Sequence, residues 1–438
     1  MDIPRYDVAI VGAGVTGTAL AYVLASYTNV DSIVLIEKES GVAEINSHPM
    51  NNSQTSHDGG TETNYNLEHA LPVRAAAVML RRYIDAKGTS RGLFRKTHRM
   101  VLGIGEDEVQ MLKDRLVEFA PHYPDLHYAD REELAQIEPK IVEGRDPQEL
   151  IGALVSSEGY AVDYQALARS FLDDVGGNAT IRCDRYFGDG VHHIEKLGDG
   201  YQLSVGGRSM WAKTVVFAAG SYSLLFAQRL GYGTDLALLP IAGSFYSAGP
   251  LLNGKVYRVQ IDGMPFAAIH GDPDVLGEHE TRFGPTVKPL PLMERYHNRT
   301  VWDYLTFVSF RLFLSVTNIM IKRRLLRYIF TNTLYDLPWI GPRLFIKEAR
   351  AIVPTLTHRD IKLRRGAGGI RPQIVDLRAK DFRMDETKMI GDNIIFNTTP
   401  SPGASVCLRN AKEDASQIVE FLGSGYAFDA EAFARDLE

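Results

Sequence analysis

Three glycines, Gly12, Gly14 and Gly17, stand in the run VAIVGAGVTG with the spacing G-x-G-x-x-G. In that spacing the first permits a tight turn and the second lets the backbone approach a pyrophosphate. The third lets a helix pack close to the strand before it. Glu37 lies twenty residues beyond Gly17, at the end of the apolar run SIVLIEK, where an acid can bind ribose hydroxyls. The glycines alone are a weak signal, since any turn could use them. Strand, turn, helix, second strand and acid in one unit point to a bound dinucleotide. Val8 to Val11 reads as a central parallel strand buried on both faces. The pattern predicts a helix over Val15 to Tyr27, its N-terminal amides facing phosphate.

The elements that must position this turn are scattered. A nicotinamide domain would continue with further strands and helices. Here NNSQTSHDGGTETNYN follows instead, Asn51 to Asn66, sixteen residues with no aliphatic side chain. Loops this long inside compact domains are either functional or disordered. Two later segments read as missing pieces of the same site. WAKTVVFAAGSYS is a strand, Thr214 to Ala218, ending in Ala219 and Gly220. GDNIIFNTTPSPGASVCLRNAKEDASQIVEFL is a strand, a Pro/Gly turn and a long helix, with Val406, Ile418, Val419 and Phe421 on one face. A nucleotide domain assembled from the start, middle and end of a chain resembles flavoproteins such as glutathione reductase and D-amino-acid oxidase. That plan favours FAD over NAD.

NSQTSHDGGTETNY is similar to the flavin-facing loop of the 2-hydroxy-acid branch of the D-amino-acid-oxidase superfamily. With GYGTDLALLPIAGSFY, GKVYRVQ, PFAAIHGDPDV, RFGPT, GGIRPQIVD and NTTPSPGAS, the chain resembles bacterial malate:quinone oxidoreductases from about residue 7 to 422. The resemblance implies an α/β fold, a Rossmann-like FAD domain interleaved with a substrate domain built on a mainly antiparallel sheet. It implies non-covalent FAD, a small 2-hydroxy dicarboxylate or monocarboxylate as donor, and a membrane quinone as acceptor. Asn52, Ser53, Gln54, Thr55, Ser56 and His57 would offer hydrogen bonds to the polar edge of the isoalloxazine. Gly369 and the turn Pro402, Gly403, Ala404, Ser405 would complete the cofactor site. Malate, L-lactate and L-2-hydroxyglutarate stay open as donors. An amine oxidase of the superfamily and a non-catalytic flavin-binding protein are the more distant alternatives.

Oxidation of a 2-hydroxy acid requires a base for the hydroxyl proton, typically worth about 10²–10⁴ in rate. Its carboxylates call for arginine or a cluster of donors. His270 ends an apolar run entering a Gly-Asp-Pro turn, a position suited to a cleft. The competing reading is a histidine bonded locally in that turn. His57 is the second candidate, able to share the site. Arg371 leaves the glycine-rich GAGGIRP, and Pro372 restricts it to extended backbone. It is the candidate for the donor carboxylate, with Tyr246 and Tyr65 expected to complete the pocket.

The 438 residues carry a net charge of -6, which gives no reason to expect a nucleic-acid partner. The two cysteines, Cys183 and Cys407, form no metal-ligand spacing, so no metal is expected. Their scarcity fits a reducing compartment. No signal peptide or spanning helix is read. Val301 to Phe330 instead sets Trp302, Tyr304, Phe307, Phe310 and Phe313 beside Arg311, Lys322, Arg323, Arg324 and Arg327. That composition suits helices lying on anionic lipid, or helices capping the substrate domain. A cytoplasmic protein attached peripherally to the inner face of the bacterial membrane is the expectation. The FAD domain is expected over 1–85, 146–240 and 355–438, and the substrate domain over 86–145 and 241–354.

Overall fold

The computed structural model describes residues 3–87, 92–260, 268–277, 280–322, 325–383, 386–398 and 402–438. The strand Arg5–Val11 lies between Ser32–Glu37 and Arg208–Phe217, both parallel to it. Arg182–Phe187 and Ile394–Thr398 extend the sheet in parallel on either side, and Thr387–Gly391 pairs antiparallel at one edge. Val8 and Ile10 pack against a layer of helices, while Ala9 and Val11 join a cluster on the opposite face. Both faces are therefore dry, which is why the strand is a continuous apolar run rather than an alternating one.

The helix layer contains Val15–Tyr27, with the bounds the glycine motif predicts, together with Tyr164–Gly177 and Cys407–Leu422. Asp163 caps the second of these, accepting from the Gln165 and Ala166 amides at 2.9 Å. The last buries Cys407, Leu408, Ala411, Ala415, Ile418 and Leu422, a helical stripe. The opposite face is covered by the hairpin Val191–Leu197 and Gly200–Val205.

A second sheet has eight strands, with Phe94–Ile104 and Ile151–Val162 its longest pair. Its described pairings are antiparallel except Lys255–Arg258, which runs parallel to Phe94–Ile104. A third, four-stranded sheet contains Leu236–Ala242 and Ile370–Asp376. Sheet membership thus cuts the chain differently from the expected boundaries. Ile151–Val162 pairs in the second sheet although 146–240 is expected in the FAD domain, and Leu236–Ala242 and Ile370–Asp376 stand outside the parallel sheet. Strand patterning reports which face is buried and carries no label for the partner strand.

Val301 to Phe330 falls in three helices, Val301–Leu305, Phe310–Lys322 and Leu325–Tyr335. Leu312, Ile319 and Leu325 pack on Leu239, Ile241 and Val375 of the four-stranded sheet. Arg323 and Arg324 lie outside the described residues. Among the described residues no single helix is long and apolar enough to cross a membrane.

Candidate active site

A cavity of about 700 Å³ opens at the carboxyl ends of the parallel strands, where Val11, Ile36, Glu37, Ala218 and Asn397 all reach its wall. Gly12 sits there at φ +110°, and a Cβ on it would collide with the Ala218 carbonyl. A Cβ on Gly17 would run into the Gly12 carbonyl, so the helix can meet the turn only through glycine. Gly17 itself packs and does not line the cavity. Glu37 accepts the Ala13 amide at 2.7 Å and the Glu39 amide at 3.0 Å, so it braces the glycine turn while facing the cavity. Burial raises its carboxyl above the ordinary range, against the pull of those two amides.

The polar run from Asn51 to Asn66 crosses the same cavity and is held from behind by buried cations. Arg115 donates to the carbonyls of Gly59, Gly60, Glu62 and Tyr65. Arg282 donates to the Asn52 and Ser53 carbonyls, and Lys255 to Ser53 at 2.8 Å. Arg99 pairs with Asp58 and donates to the Ser56 carbonyl at 3.2 Å. Tyr164 and Ser405 both donate to the Thr55 carbonyl, at 2.6 and 3.1 Å. A segment without aliphatic side chains is ordered in this way by satisfying its backbone, with the polar side chains of Gln54, Thr55, Ser56 and Asp58 buried among those partners.

Asn52, Ser53, Thr55 and His57 reach the cavity wall, with Ala219, Gly220, Gly369, Pro402, Gly403, Ala404 and Ser405. Gln54 does not. It is buried at φ +54°, and its amide donates to Asp274 Oδ1 at 2.7 Å and the Pro49 carbonyl at 3.0 Å. The expected contact of its side chain with flavin is replaced by a tie to the second sheet.

His57 Nδ1 lies 2.7 Å from Glu62 Oε1, and its amide donates to Ser405 Oγ at 2.9 Å. Burial works to raise the Glu62 carboxyl, but the His57 bond and the charges of His57 and Arg99 outweigh it and hold the group at about 2. His270 is 1% exposed, and its ring centroid is 5.1 Å from that of Tyr257, its cross-strand neighbour. His270 Nδ1 lies 3.4 Å from the Ala268 carbonyl, and Nε2 lies 3.6 Å from Asp272 Oδ1. Burial first, then the charges of Lys255, Arg282 and His57, hold the imidazole well below its ordinary value. That shift favours the uncharged ring, the form in which a histidine serves as a general base.

Arg371 reaches the cavity from the strand Ile370–Asp376. No carboxylate among the described residues pairs with it, and its Nε has no hydrogen-bond partner there. Burial lowers its pKa, partly offset by the nearby Tyr65 phenol. An arginine desolvated without an anion is unusual unless a ligand supplies one. His270, His57 and Arg371 thus share one cavity.

The two tyrosines depart from expectation. Tyr246 is stacked on Phe345 with centroids 4.3 Å apart, donates to the Tyr335 carbonyl and does not line the cavity. Its strand turns that face into the core of the second sheet. Tyr65 packs against the cluster of Val101, Phe119 and Tyr257, does not line the cavity and lies near enough to act on the Arg371 charge. Sequence reasoning missed Tyr257, Asp272 and the four clamping cations. Arg282 carried a signal, being a charged residue inside a short strand otherwise made of uncharged residues.

The donor set suits FAD. The cavity has the volume for a dinucleotide, a glycine turn that excludes a Cβ, an acid, Glu37, on its wall and the polar loop beyond it. Comparison with known proteins agrees. Residues 7–408 match the family model described as FAD dependent oxidoreductase. A probable malate:quinone oxidoreductase of Campylobacter jejuni is 38% identical over 453 aligned positions, covering all of both chains. A malate:quinone oxidoreductase of Helicobacter pylori is 36% identical over 99% of this chain and 98% of its own. Among solved structures, L-α-glycerophosphate oxidase of Mycoplasma pneumoniae, with FAD bound, superposes with a TM-score of 0.66 at 19% identity. It covers 96% of this chain and 95% of its own. Glycine oxidase of Geobacillus kaustophilus gives 0.65 at 18% identity, covering 98% of each chain. These two share the fold. With its cavity built for the dinucleotide and relatives aligned end to end, the chain belongs to the malate:quinone oxidoreductase family of FAD-dependent oxidoreductases.

Proposed function

We propose that this chain oxidises L-malate to oxaloacetate and passes the electrons to a membrane quinone. The observation that carries the reading is one cavity lined by a buried imidazole, His270, and a half-buried guanidinium, Arg371, that has no carboxylate partner among the described residues. FAD, when bound, supplies the acceptor for the hydride leaving C2. Arg371 holds a donor carboxylate, fixing which C–H bond faces the ring. His270 takes the hydroxyl proton as C2–O becomes a carbonyl, so no protonated ketone forms. The polar run would offer hydrogen bonds to the bound flavin, and the clamping of its carbonyls by Arg99, Lys255 and Arg282 keeps the run in place.

The malate part is tested by adding L-malate, L-lactate and L-2-hydroxyglutarate separately to the flavoprotein without air. L-malate should bleach the flavin band fastest. A chain bleached only by one of the other two would redirect the reading to that acid. Replacing His270 by Gln should slow bleaching by about 10²–10⁴. An unchanged rate would remove it from the role of base.

A quinone acceptor calls for contact with lipid, and the helices after residue 300 offer it. Trp302, Phe310 and Trp339 are 72%, 74% and 83% exposed, with Phe313, Ile321 and Phe330 exposed beside them. Arg311, Lys322, Arg327 and Arg343 are exposed on the same helices. An apolar face rimmed by cations fits the interface of an anionic bilayer. The face extends past the aromatic run of 301–330 to Trp339, Ile340 and Leu344. The charge part is tested with vesicles containing anionic lipid. A variant with Arg311, Lys322 and Arg327 changed to Gln should partition less, and more salt should narrow the gap. Equal partitioning would remove that contribution.

A further inference from the structure

The mechanism uses His270 but leaves unexplained a charged knot behind it. Asp272 follows His270 by two residues on the strand His270–Pro273, so both side chains project to one side. Asp272 Oδ1 and His270 Nε2 are both buried, both without a hydrogen-bond partner among the described residues, and 3.6 Å apart. The other oxygen of Asp272 accepts from Arg282 at 2.6 Å, and Lys255 stands 3.7 Å from it. Three cationic or titratable groups therefore bear on His270, namely Lys255, Arg282 and His57, against the single carboxylate of Asp272. Two orphaned buried atoms of opposite hydrogen-bonding need do not face one another at low cost unless something closes the gap.

We propose that Asp272 is the positioning residue for His270, fixing the proton on Nε2 and supplying the counter-charge when the ring becomes an imidazolium. This rests on the reading of His270 as the base for a 2-hydroxy acid. With Nε2–H directed at Asp272, the lone pair left for the donor is on Nδ1. The donor hydroxyl proton moves to Nδ1 as the hydride leaves C2, so the ring gains one positive charge. The Ala268 carbonyl, 3.4 Å from Nδ1 in the resting state, is a second acceptor that the new Nδ1–H can share with the C2 oxygen. Nε2–H closes on Asp272 under the new attraction. Catalytic hydrogen bonds are commonly long before the donor binds and tighten with charge. Arg282 and Lys255 make this possible, because without them an ionised Asp272 could not be kept buried beside a neutral ring. The same two cations hold the Asn52 and Ser53 carbonyls, so the imidazole and the flavin-facing run are set by one knot.

The test uses the holoenzyme and rates taken per bound flavin. Asp272→Asn keeps an acceptor for Nε2–H and removes the charge. It should slow reduction by L-malate about 10- to 100-fold, a share of the effect of the base itself. The acidic limb of the pH profile should move to lower pH, since Lys255 and Arg282 then face the imidazole unopposed. Binding of malonate, a redox-inert dicarboxylate read by the shift it causes in the flavin spectrum, should be unchanged. Asp272→Glu should recover part of the rate and return the acidic limb toward that of the wild type. An Asp272→Asn rate and profile equal to the wild type would overturn the proposal. It would also be overturned if both variants lost flavin alike while the rate per bound flavin stayed intact, since the role would then be structural. A wild-type flavin reduced by none of the three hydroxy acids would instead overturn the functional reading, and this inference with it.

Discussion

Arg371 is the residue whose environment has least explanation inside the chain. Its guanidinium is desolvated, lacks a carboxylate among the described residues and faces the cavity. Arg371→Lys keeps a charge and loses the planar fork. A charge-assisted hydrogen bond is worth about 1.5–3 kcal/mol, so the donor KM should rise about 10- to 100-fold. An unaltered KM would assign the carboxylate elsewhere. Glu62 offers a test on stability. Its folded carboxyl, near 2, lies below the ordinary 4.5, so its contribution is present in full above about pH 4.5. That contribution is lost as the pH falls towards 2. Acid titration should therefore destabilise the wild type more steeply across that window than Glu62→Gln, and parallel curves would refute the linkage. His270 and Arg371 were legible as candidates because each stands in an informative local pattern. Tyr246 misled, since an aromatic in a strand carries no mark of whether its face meets a cavity or a core.

At the scale of elements, two devices decide whether the cofactor can be held. One is the glycine turn, where Gly12→Ala combines a strained positive φ, costing about 1–3 kcal/mol, with a collision against the Ala218 carbonyl. This variant should purify with little or no flavin, and full flavin content would contradict the turn's role. The other is the set of cations behind the polar run. Arg99, 2% exposed, is paired with Asp58 and holds the Ser56 carbonyl. Arg99→Met leaves the buried Asp58 carboxylate with Arg81, 3.9 Å away, as its remaining cation among the described residues, and removing one partner of a buried pair costs about 3–5 kcal/mol. It should lower the melting temperature and loosen FAD together. The run itself was legible as a functional loop from its length and polarity. Its restraints were not, because Arg99, Arg115, Lys255 and Arg282 come from remote strands and a helix, and no local pattern links them to it.

Across the whole molecule, the parallel sheet and its glycine turn form one end of the cavity, and the second sheet brings His270 to it. The four-stranded sheet carries Arg371 and supports the helices whose apolar face is exposed. If that face meets lipid, replacing Trp302 and Trp339 with Ser should reduce vesicle binding without changing anaerobic reduction by malate. Loss of both together would mean that the helices shape the donor site instead. By itself the amino-acid order determined the glycine turn, the bounds of its helix, a sheet drawing strands from the start, middle and end of the chain, and the likeness to a flavoprotein family. Each of these depends on short-range spacing, which sterics and hydrophobic periodicity make readable. Tertiary structure alone decided that residues 57, 270 and 371 share a cavity, that Tyr246 and Gln54 are committed elsewhere, and that a knot around Asp272 lies behind the imidazole. Those facts depend on strand pairing between distant segments, where period-two patterning tells which face is buried and never which strand lies alongside.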